Sequence, residues 1–481
     1  MKMIEAAAPK TPYIEPEVIQ RLLKLGDAMV LTLAALALLF WPATALSGYE
    51  STLAFLLGLL LMFATLLAWR AAGLYEVGRW TAPGRVVLGG LLLAMVIGGA
   101  LFTLGALVPS IGGWRAFAGW SLTAGVWLLI SRGALALWAR PKAQAGAFRR
   151  RIAIVGGGAA AQRAIDTLER SSGLDIEIIG LFDDRDDERS PEQVRRYRKL
   201  GDIAALYDYA RRQRVDLIVV AIPLAAEQRL MQMLGKLWEL PVDIRISGQA
   251  SQLKLSPRAY EFLGELPLLA VFDTPLHGWS WFVKGALDRV LAALMIVAFS
   301  PVMAAVALAI RLESAGPVLF RQKRYGFNNE LIEIYKFRSM YVDRCDATAS
   351  KLVTKDDPRV TKVGRFIRKT SIDELPQLFN VLKGELSLVG PRPHATEAKA
   401  ADTLYQEVVD GYFARHKVKP GITGWAQVNG WRGETDTREK IENRIKYDLE
   451  YIDNWSLWFD LRILLMTPLS LLSPANARNA Y

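Results

Sequence analysis

The chain has 481 residues, 52% hydrophobic and 22% charged, with a formal net charge of +11 and one cysteine, Cys345. That length exceeds one compact core and implies roughly two to four units. A single cysteine excludes an intramolecular disulfide and any cysteine-rich metal site, while the positive charge suits phosphates or an anionic membrane face as well as nucleic acid.

The opening stretch, MKMIEAAAPKTPYIEPEV, is polar and acidic, unlike the basic start and apolar core of a cleavable signal. Four apolar runs follow, Leu25 to Trp41, Leu53 to Trp69, Val86 to Val108 and Phe117 to Trp138, each near the roughly 20 residues that cross a bilayer. Arg21 and Lys24 precede the first run, Arg70, Arg79 and Arg85 join the second to the third, and Arg140 through Arg151 follow the fourth. The Ala43 to Thr52 and Pro109 to Trp114 connections contain no Lys or Arg, apart from what lies beyond them. The positive-inside rule then puts both ends of this group on the cytoplasmic face.

Beyond the basic linker the pattern becomes short apolar strands alternating with polar helical stretches: RIAIVGGG, EIIGLFDD, VDLIVVAIP and VDIRIS. Such alternation predicts a parallel sheet with helices on its faces. Gly156, Gly158 and Ala161 meet the GxGxxA spacing, so Gly156 and Gly158 form a candidate nucleotide loop at a helix N-terminus. Asp183 or Asp184 is positioned to meet a ribose; a domain that binds nothing catalytic is the competing reading. No tyrosine has a lysine four residues later, which disfavours a sugar-modifying dehydrogenase.

A fifth apolar run, Ala286 to Ile310, is interrupted by Ser300 and Pro301 and is basic on both flanks. Full crossing would put one basic flank outside, against the charge rule. Proline removes an in-helix hydrogen bond and forces a bend, so a re-entrant helix over 285–311, broken at Ser300 and Pro301, is expected, with a kinked crossing helix as the alternative.

The remaining sequence gathers cations around one carboxylate pair. Asp373 and Glu374 precede the apolar pattern Leu378, Phe379, Val381, Leu382 and are expected in a helix's first turn, where Ser371 and Glu374 also match a capping box. Arg324, Lys336, Arg338, Arg359, Arg365, Arg368 and Arg392 supply the charge to hold a diphosphate. Adjacent acids amid cations suit Mg²⁺ with substrate phosphates, which makes Asp373 and Glu374 candidate metal ligands. One of the two carboxylates is a candidate nucleophile, since carboxylates form acyl phosphates. In Pro391-Arg392-Pro393 the flanking prolines stiffen the backbone and orient a guanidinium fork toward phosphate. His394 beside it is a weaker substrate contact, and His277 and His416 have no metal-type spacing.

The stretches PVLFRQKRYG, YKFRSM, SIDELPQLFNVLKGELSLVGPRP, KPGITGWAQVNGWRGET and YDLEYIDNWSLWFDLRILLMT resemble the bacterial sugar transferase family, the monotopic polyprenyl phosphate hexose-1-phosphate transferases, from Lys284 to Thr467. With four spans and a CoA-binding-like domain upstream, the chain resembles the family's long members, which transfer glucose phosphate to undecaprenyl phosphate. The resemblance implies that Asp373 attacks the sugar-bearing phosphorus of a UDP-sugar and expels UMP. Undecaprenyl phosphate would then take the phosphosugar, with Glu374 as the Mg²⁺ ligand and Arg392 on a phosphate. The aromatic tail around Trp455, Trp458 and Phe459 suits the bilayer interface.

The expected fold is therefore a membrane α/β protein: a tail over 1–20, a four-helix transmembrane bundle over 21–142, a Rossmann-like α/β domain over 143–275, and a mostly helical monotopic catalytic domain over 276–481. Expected partners are a UDP-sugar, undecaprenyl phosphate and membrane lipid in a bacterial inner membrane, with a possible homodimer and no nucleic acid. Galactose-1-phosphate is the alternative cargo, and a non-catalytic assembly or regulatory protein the alternative function.

Overall fold

The computed structural model describes residues 13–39, 48–80, 84–107, 113–171, 175–185, 190–222, 226–248, 260–342, 357–393, 399–400, 403–404, 412–431 and 438–472. Cys345 and His394 lie outside these. The chain divides into two compact units, Met1–Arg150 and Arg151–Tyr481.

The first unit contains α1 (Pro16–Leu39), α2 (Gly48–Ala71), α3 (Gly84–Leu107) and α4 (Gly113–Gln144). α1 packs on α2 and α4, and α3 on the same two, around Leu31, Ala35, Trp69, Ala124 and Leu128. Their other faces leave Leu33, Phe63, Met95 and Leu137 exposed, so these helices are apolar on both sides, as lipid-facing helices are. The Ala118–Gln144 part of α4 is long and apolar enough to cross a membrane; α2 and α3 carry the shorter apolar stretches Phe55–Ala71 and Val87–Gly99. α1 starts within the stretch 1–20, at Pro16, a residue with no N–H to leave unsatisfied in a first turn.

Among the described residues one ion pair of this unit is fully buried. Arg132 donates to both carboxylate oxygens of Asp27, at 3.0 and 2.8 Å, and Tyr75 and Trp127 donate to the same carboxylate at 2.7 and 2.8 Å. The guanidinium also lies against the Trp69 and Tyr75 rings. Asp27 is thus fully coordinated, which is what a carboxylate so deeply buried requires.

In the second unit an eight-stranded sheet has the order β3-β4-β2-β1-β5-β6-β8-β7. Its strands are β1 (Arg150–Val155), β2 (Ile176–Phe182), β3 (Gln193–Val194), β4 (Tyr197–Gly201), β5 (Leu217–Val220), β6 (Asp243–Ser247), β7 (Glu261–Leu263) and β8 (Leu266–Phe272). β2 pairs parallel with β4, and β5 parallel with β1 and β6; β8 joins β6 antiparallel. α5 (Gly158–Arg170), α6 (Ile203–Arg212) and α7 (Glu227–Leu237) cover the sheet. Two apolar clusters, one built on Ala153, Ile218 and Ile244 and the other on Ile152, Ile154 and Val219, lie on opposite faces of the same strands, as alternation of side chains along a strand dictates.

The sheet leads directly into α8 (Gly278–Glu313), a 36-residue helix that passes through Pro301. Ser300 Oγ donates at 2.8 Å to the Val297 carbonyl, the acceptor that proline at 301 leaves without an N–H. Ala292 and its neighbours pack with the segment around α10 (Gln377–Lys383), while Val306 and Ile310 pack with Phe337 and Ile367. Both ends of α8 therefore rest on the same domain, and between them Leu294, Val297, Phe299 and Val302 are exposed. A hairpin of β9 (Leu319–Tyr325) and β10 (Leu331–Phe337), the helix α9 (Lys362–Lys369), and the helices Arg438–Asp453 and Leu457–Leu472 complete the unit. This segment is less purely helical than expected. The last helix turns Trp458, Leu461, Leu465 and Leu469 outward.

The Asp27 cluster yields a stability prediction. Arg132→Met strands a buried carboxylate and should cost about 3–5 kcal/mol. Adding Asp27→Leu should restore part of it, as read from thermal unfolding of the purified full-length protein.

Candidate active site

Three segments distant in sequence bring their charges to one carboxylate. Glu374 Oε1 accepts from Lys336 Nζ at 2.9 Å and from Arg392 Nη2 at 2.5 Å, and Oε2 from Arg392 Nη1 at 3.2 Å. Lys336 comes from β10, Glu374 from a 3₁₀ turn, Ile372–Glu374, and Arg392 from the segment after the strand Ser387–Val389. Asn380 fixes the first two together: its Oδ1 accepts from the Tyr335 N–H at 3.0 Å and its Nδ2 donates to the Glu333 carbonyl at 2.6 Å, so α10 is bonded to the strand that carries Lys336. The strand Ser387–Val389 pairs parallel with Gly421–Thr423 and presents the Pro391-Arg392-Pro393 triplet from its end.

Asp373 adjoins this clamp, and among the described residues no hydrogen bond is drawn to its carboxylate. Burial, reinforced by the negative charge of Glu374, pushes its pKa up to about 6, although Lys336, Arg368 and Arg392 pull the other way. Glu374 responds oppositely. Burial alone would raise it, but Arg392 and Lys336 outweigh that and hold it well below the usual carboxylate range. Neighbouring acids with separated pKa values are the arrangement that assigns different chemical tasks to two like groups.

The acids do not stand in the first turn of α10, as the sequence suggested. They occupy the separate 3₁₀ turn, and Pro376 is the residue before α10. The capping box is absent: Ser371 is left-handed at φ 60°, and its carbonyl, not its hydroxyl, accepts from the Glu374 N–H at 3.2 Å. A left-handed serine costs conformational energy, and here it turns the chain from α9 into the acidic turn.

Not every expected phosphate ligand is at the site. Arg338 is buried and donates to the Ala315 and Ser314 carbonyls at 2.6 and 2.8 Å and to Ser314 Oγ at 2.9 Å, closing the end of α8. A guanidinium so engaged is structural. Gly316 has φ +117°, and a Cβ there would strike Arg338 Nη1. Arg359 forks onto Asp357 at 2.6–3.0 Å, two residues away. Arg324 bonds Gln322 and the Pro393 carbonyl, so it touches the triplet's backbone. Arg368, in the last turn of α9, and Lys336 and Arg392 are the expected cations whose charge acts on Asp373.

For Mg²⁺ the donor set is two carboxylates, and among the described residues no group of three or more His, Cys, Asp or Glu converges as a metal site. Such a pair fits an ion that takes its remaining ligands from substrate phosphates and water. Asp373 has open lone pairs for it, whereas both Glu374 oxygens already accept from cations.

The sequence pattern offers Lys284 only as a flanking charge and gives Asp288 no role. Asp288 is buried, accepts from Ser387 Oγ at 2.7 Å and pairs with Lys284, which also meets Asp460 at 2.9 Å. Their signal was charge at the start of an apolar run.

In the glycine loop Gly156 and Gly158 have φ +106° and +72°, and a Cβ on Gly157 would lie 2.8 Å from Ser190 Cα and 3.2 Å from Asp183 Oδ2. Asp183 is not offered to a ribose: it is buried and salt-bridged to Arg185 and Arg229. Asp184 instead accepts from the Ile203 N–H at 2.9 Å, where α6 begins.

Comparison with known proteins agrees with this geometry. Residues 279–474 match the family described as bacterial sugar transferase, and residues 70–248 match a CoA-binding domain. The chain is 38% identical to the UDP-glucose:undecaprenyl-phosphate glucose-1-phosphate transferase of Escherichia coli, over 72% of this chain and 73% of that protein. A protein of the same name from Xanthomonas campestris is 34% identical, over 86% of this chain and 84% of that protein. The undecaprenyl-phosphate glucose phosphotransferase of Komagataeibacter xylinus is 40% identical over 66% of this chain and 58% of that protein. Similarity of this extent, with Asp373, Glu374 and Arg392 gathered at one centre, shows that the chain belongs to the bacterial sugar transferase family.

Proposed function

We propose that this protein transfers glucose-1-phosphate from UDP-glucose to undecaprenyl phosphate, releasing UMP, as the initiating step of an exopolysaccharide or capsule. The observation that carries the chemistry is the contrast between Asp373, whose carboxylate is open, and Glu374, which is locked by Lys336 and Arg392. Ionised at neutral pH, Asp373 attacks the sugar-bearing phosphorus; an Asp373 Oδ–P bond forms, and the P–O bond to UMP breaks with its electron pair. The phosphate oxygen of undecaprenyl phosphate then attacks the same phosphorus and frees Asp373. Arg392 and Lys336 hold the diphosphate charge near Glu374, and Arg368 adds a third cation. Asp373 and Glu374 are the residues that would hold Mg²⁺, Glu374 by exchanging one cation partner for the ion. Bound there, the ion would neutralise diphosphate charge. Glucose follows the names of the three relatives, and galactose is the alternative sugar.

The same reading places the chain in the bacterial inner membrane as a multi-pass protein, with α1 to α4 as a transmembrane bundle and the catalytic centre on the cytoplasmic face. It takes α8 as re-entrant. Support for that comes from both ends of α8 resting on one domain, from the exposed apolar residues between them and from Pro301 within that exposed stretch. A straight helix of 36 residues would run about 54 Å, well beyond a hydrocarbon core of about 30 Å.

Two measurements test the mechanism. With purified protein, Mg²⁺, undecaprenyl phosphate and UDP-glucose, Asp373→Asn should lower UMP release by about 10³-fold or more. When undecaprenyl phosphate is omitted, wild type should carry a hexose phosphate on the Asp373 peptide by mass spectrometry; a non-catalytic protein would show neither effect. Carbodiimide modification requires a protonated carboxyl. In metal-free protein it should therefore label Asp373 increasingly as pH falls through about 6 and leave Glu374 unlabelled there, and Glu374→Gln should shift that midpoint to lower pH by removing a like charge.

A further inference from the structure

The backbone of the proline triplet is held at all three of its carbonyls. Pro391 O accepts from the Gly421 N–H at 2.9 Å, Arg392 O from Arg415 Nη2 at 2.6 Å, and Pro393 O from Arg324 Nη1 at 2.7 Å. Prolines have no N–H, so carbonyls are the only main-chain groups by which Pro391 and Pro393 can be hydrogen-bonded. The middle carbonyl receives a deeply buried donor. Arg415 is 1% exposed, in the 3₁₀ turn Tyr412–Lys417, and Asp448, also 1% exposed, faces it from the helix Arg438–Asp453. Arg415 Nη2 lies 2.7 Å from Asp448 Oδ2.

Burying a guanidinium and a carboxylate together gains little stability over an apolar pair, because both lose their hydration. What the pair does supply is a rigid donor fork with a fixed direction. One nitrogen of that fork meets both Asp448 and the main chain of the residue whose own guanidinium grips Glu374. The turn is backed by the α/β sheet domain: Arg211, at the end of α6, lies over the Phe413 ring at 4.5 Å, while the neighbouring turn Phe327–Asn329 is tied to the same domain by Asn328 Nδ2, which donates to the Ala210 carbonyl at 3.2 Å.

We propose that Arg415, held by Asp448, is a positioning residue for the transfer: it fixes the main chain of Arg392 so that the Arg392 guanidinium meets Glu374 and the substrate's phosphate. Arg415 touches no reacting atom and acts only through Arg392. The inference rests on Asp373 and Glu374 being the reacting centre, and the Asp373→Asn measurement tests that separately, since it involves neither Arg415 nor Asp448.

The test is a double-mutant cycle on the purified full-length protein, read as the kcat of UMP release from UDP-glucose with undecaprenyl phosphate and Mg²⁺. Arg415→Lys keeps a positive charge for Asp448 and loses the fork. It should lower kcat by about 10–100-fold, the scale of a small misplacement at a reacting centre. In an Arg392→Ala background the same change should have no further effect, because the group it positions is gone. Asp448→Asn, which leaves Arg415 in place but loosens it, should give a smaller loss that also vanishes in that background, and it serves if Arg415→Lys does not fold. Arg245→Lys is the control, since Arg245 is a buried arginine paired with Glu261 and Asp273 within the sheet; it should lower the melting temperature and leave kcat unchanged. Losses that multiply in the Arg392→Ala background, or an Arg415→Lys kcat within about twofold of wild type, would overturn the proposal.

Discussion

The catalytic segment depends on one buried carboxylate being neutralised by two cations from elsewhere in the chain. Glu374 stays charged only because Lys336 and Arg392 reach it, and without them burial would drive it toward its neutral form. The same two cations restrain, but do not cancel, the upward pull of burial on Asp373. Two adjacent acids are thus made unlike by geometry. One is locked as a permanent anion and the other is left open, near the pH at which a carboxylate is still a competent base and nucleophile.

Holding three distant segments around one carboxylate requires a rigid frame, and α8 supplies much of it. Near its start, Asp288 accepts from Ser387, at the head of the strand that leads to Arg392. At its end, Glu313 accepts the Lys362 and Val363 N–H groups, completing the N-terminus of α9, and Arg338 closes the carbonyls beyond the helix. α9 then delivers Arg368 and the left-handed Ser371 that introduces the acidic turn. The longest helix of this unit is therefore bonded at both ends to the elements that carry the acids and Arg392. Such bonding couples the site to wherever the exposed apolar middle of α8 resides.

The α/β sheet domain has a different relation to the chemistry. Its glycine loop adopts the positive φ values that the fingerprint requires, yet Ser190 and Asp183 close on Gly157 from the other side. The contacts this domain does make toward the reacting centre run through Arg211 and Ala210 to the segments that carry Phe413 and Asn328.

The sequence by itself determined the elements that depend on local pattern. Apolar runs of about bilayer length, strand and helix alternation, and the dense motifs around Asp373, Glu374 and Arg392 are all properties of neighbours in the chain, and each carries its own physical signature. Which cation meets which acid is not such a property. Arg338, Arg359 and Arg392 look alike in sequence, and only the packed chain sends the first to the end of α8, the second to Asp357 and the third to Glu374. Arg415 gave no sequence signal at all, because its importance lies in a carbonyl 23 residues away. Side-chain charge can be read residue by residue, but pairing is decided by burial, which makes an unmatched charge too costly to leave and so selects one partner from many.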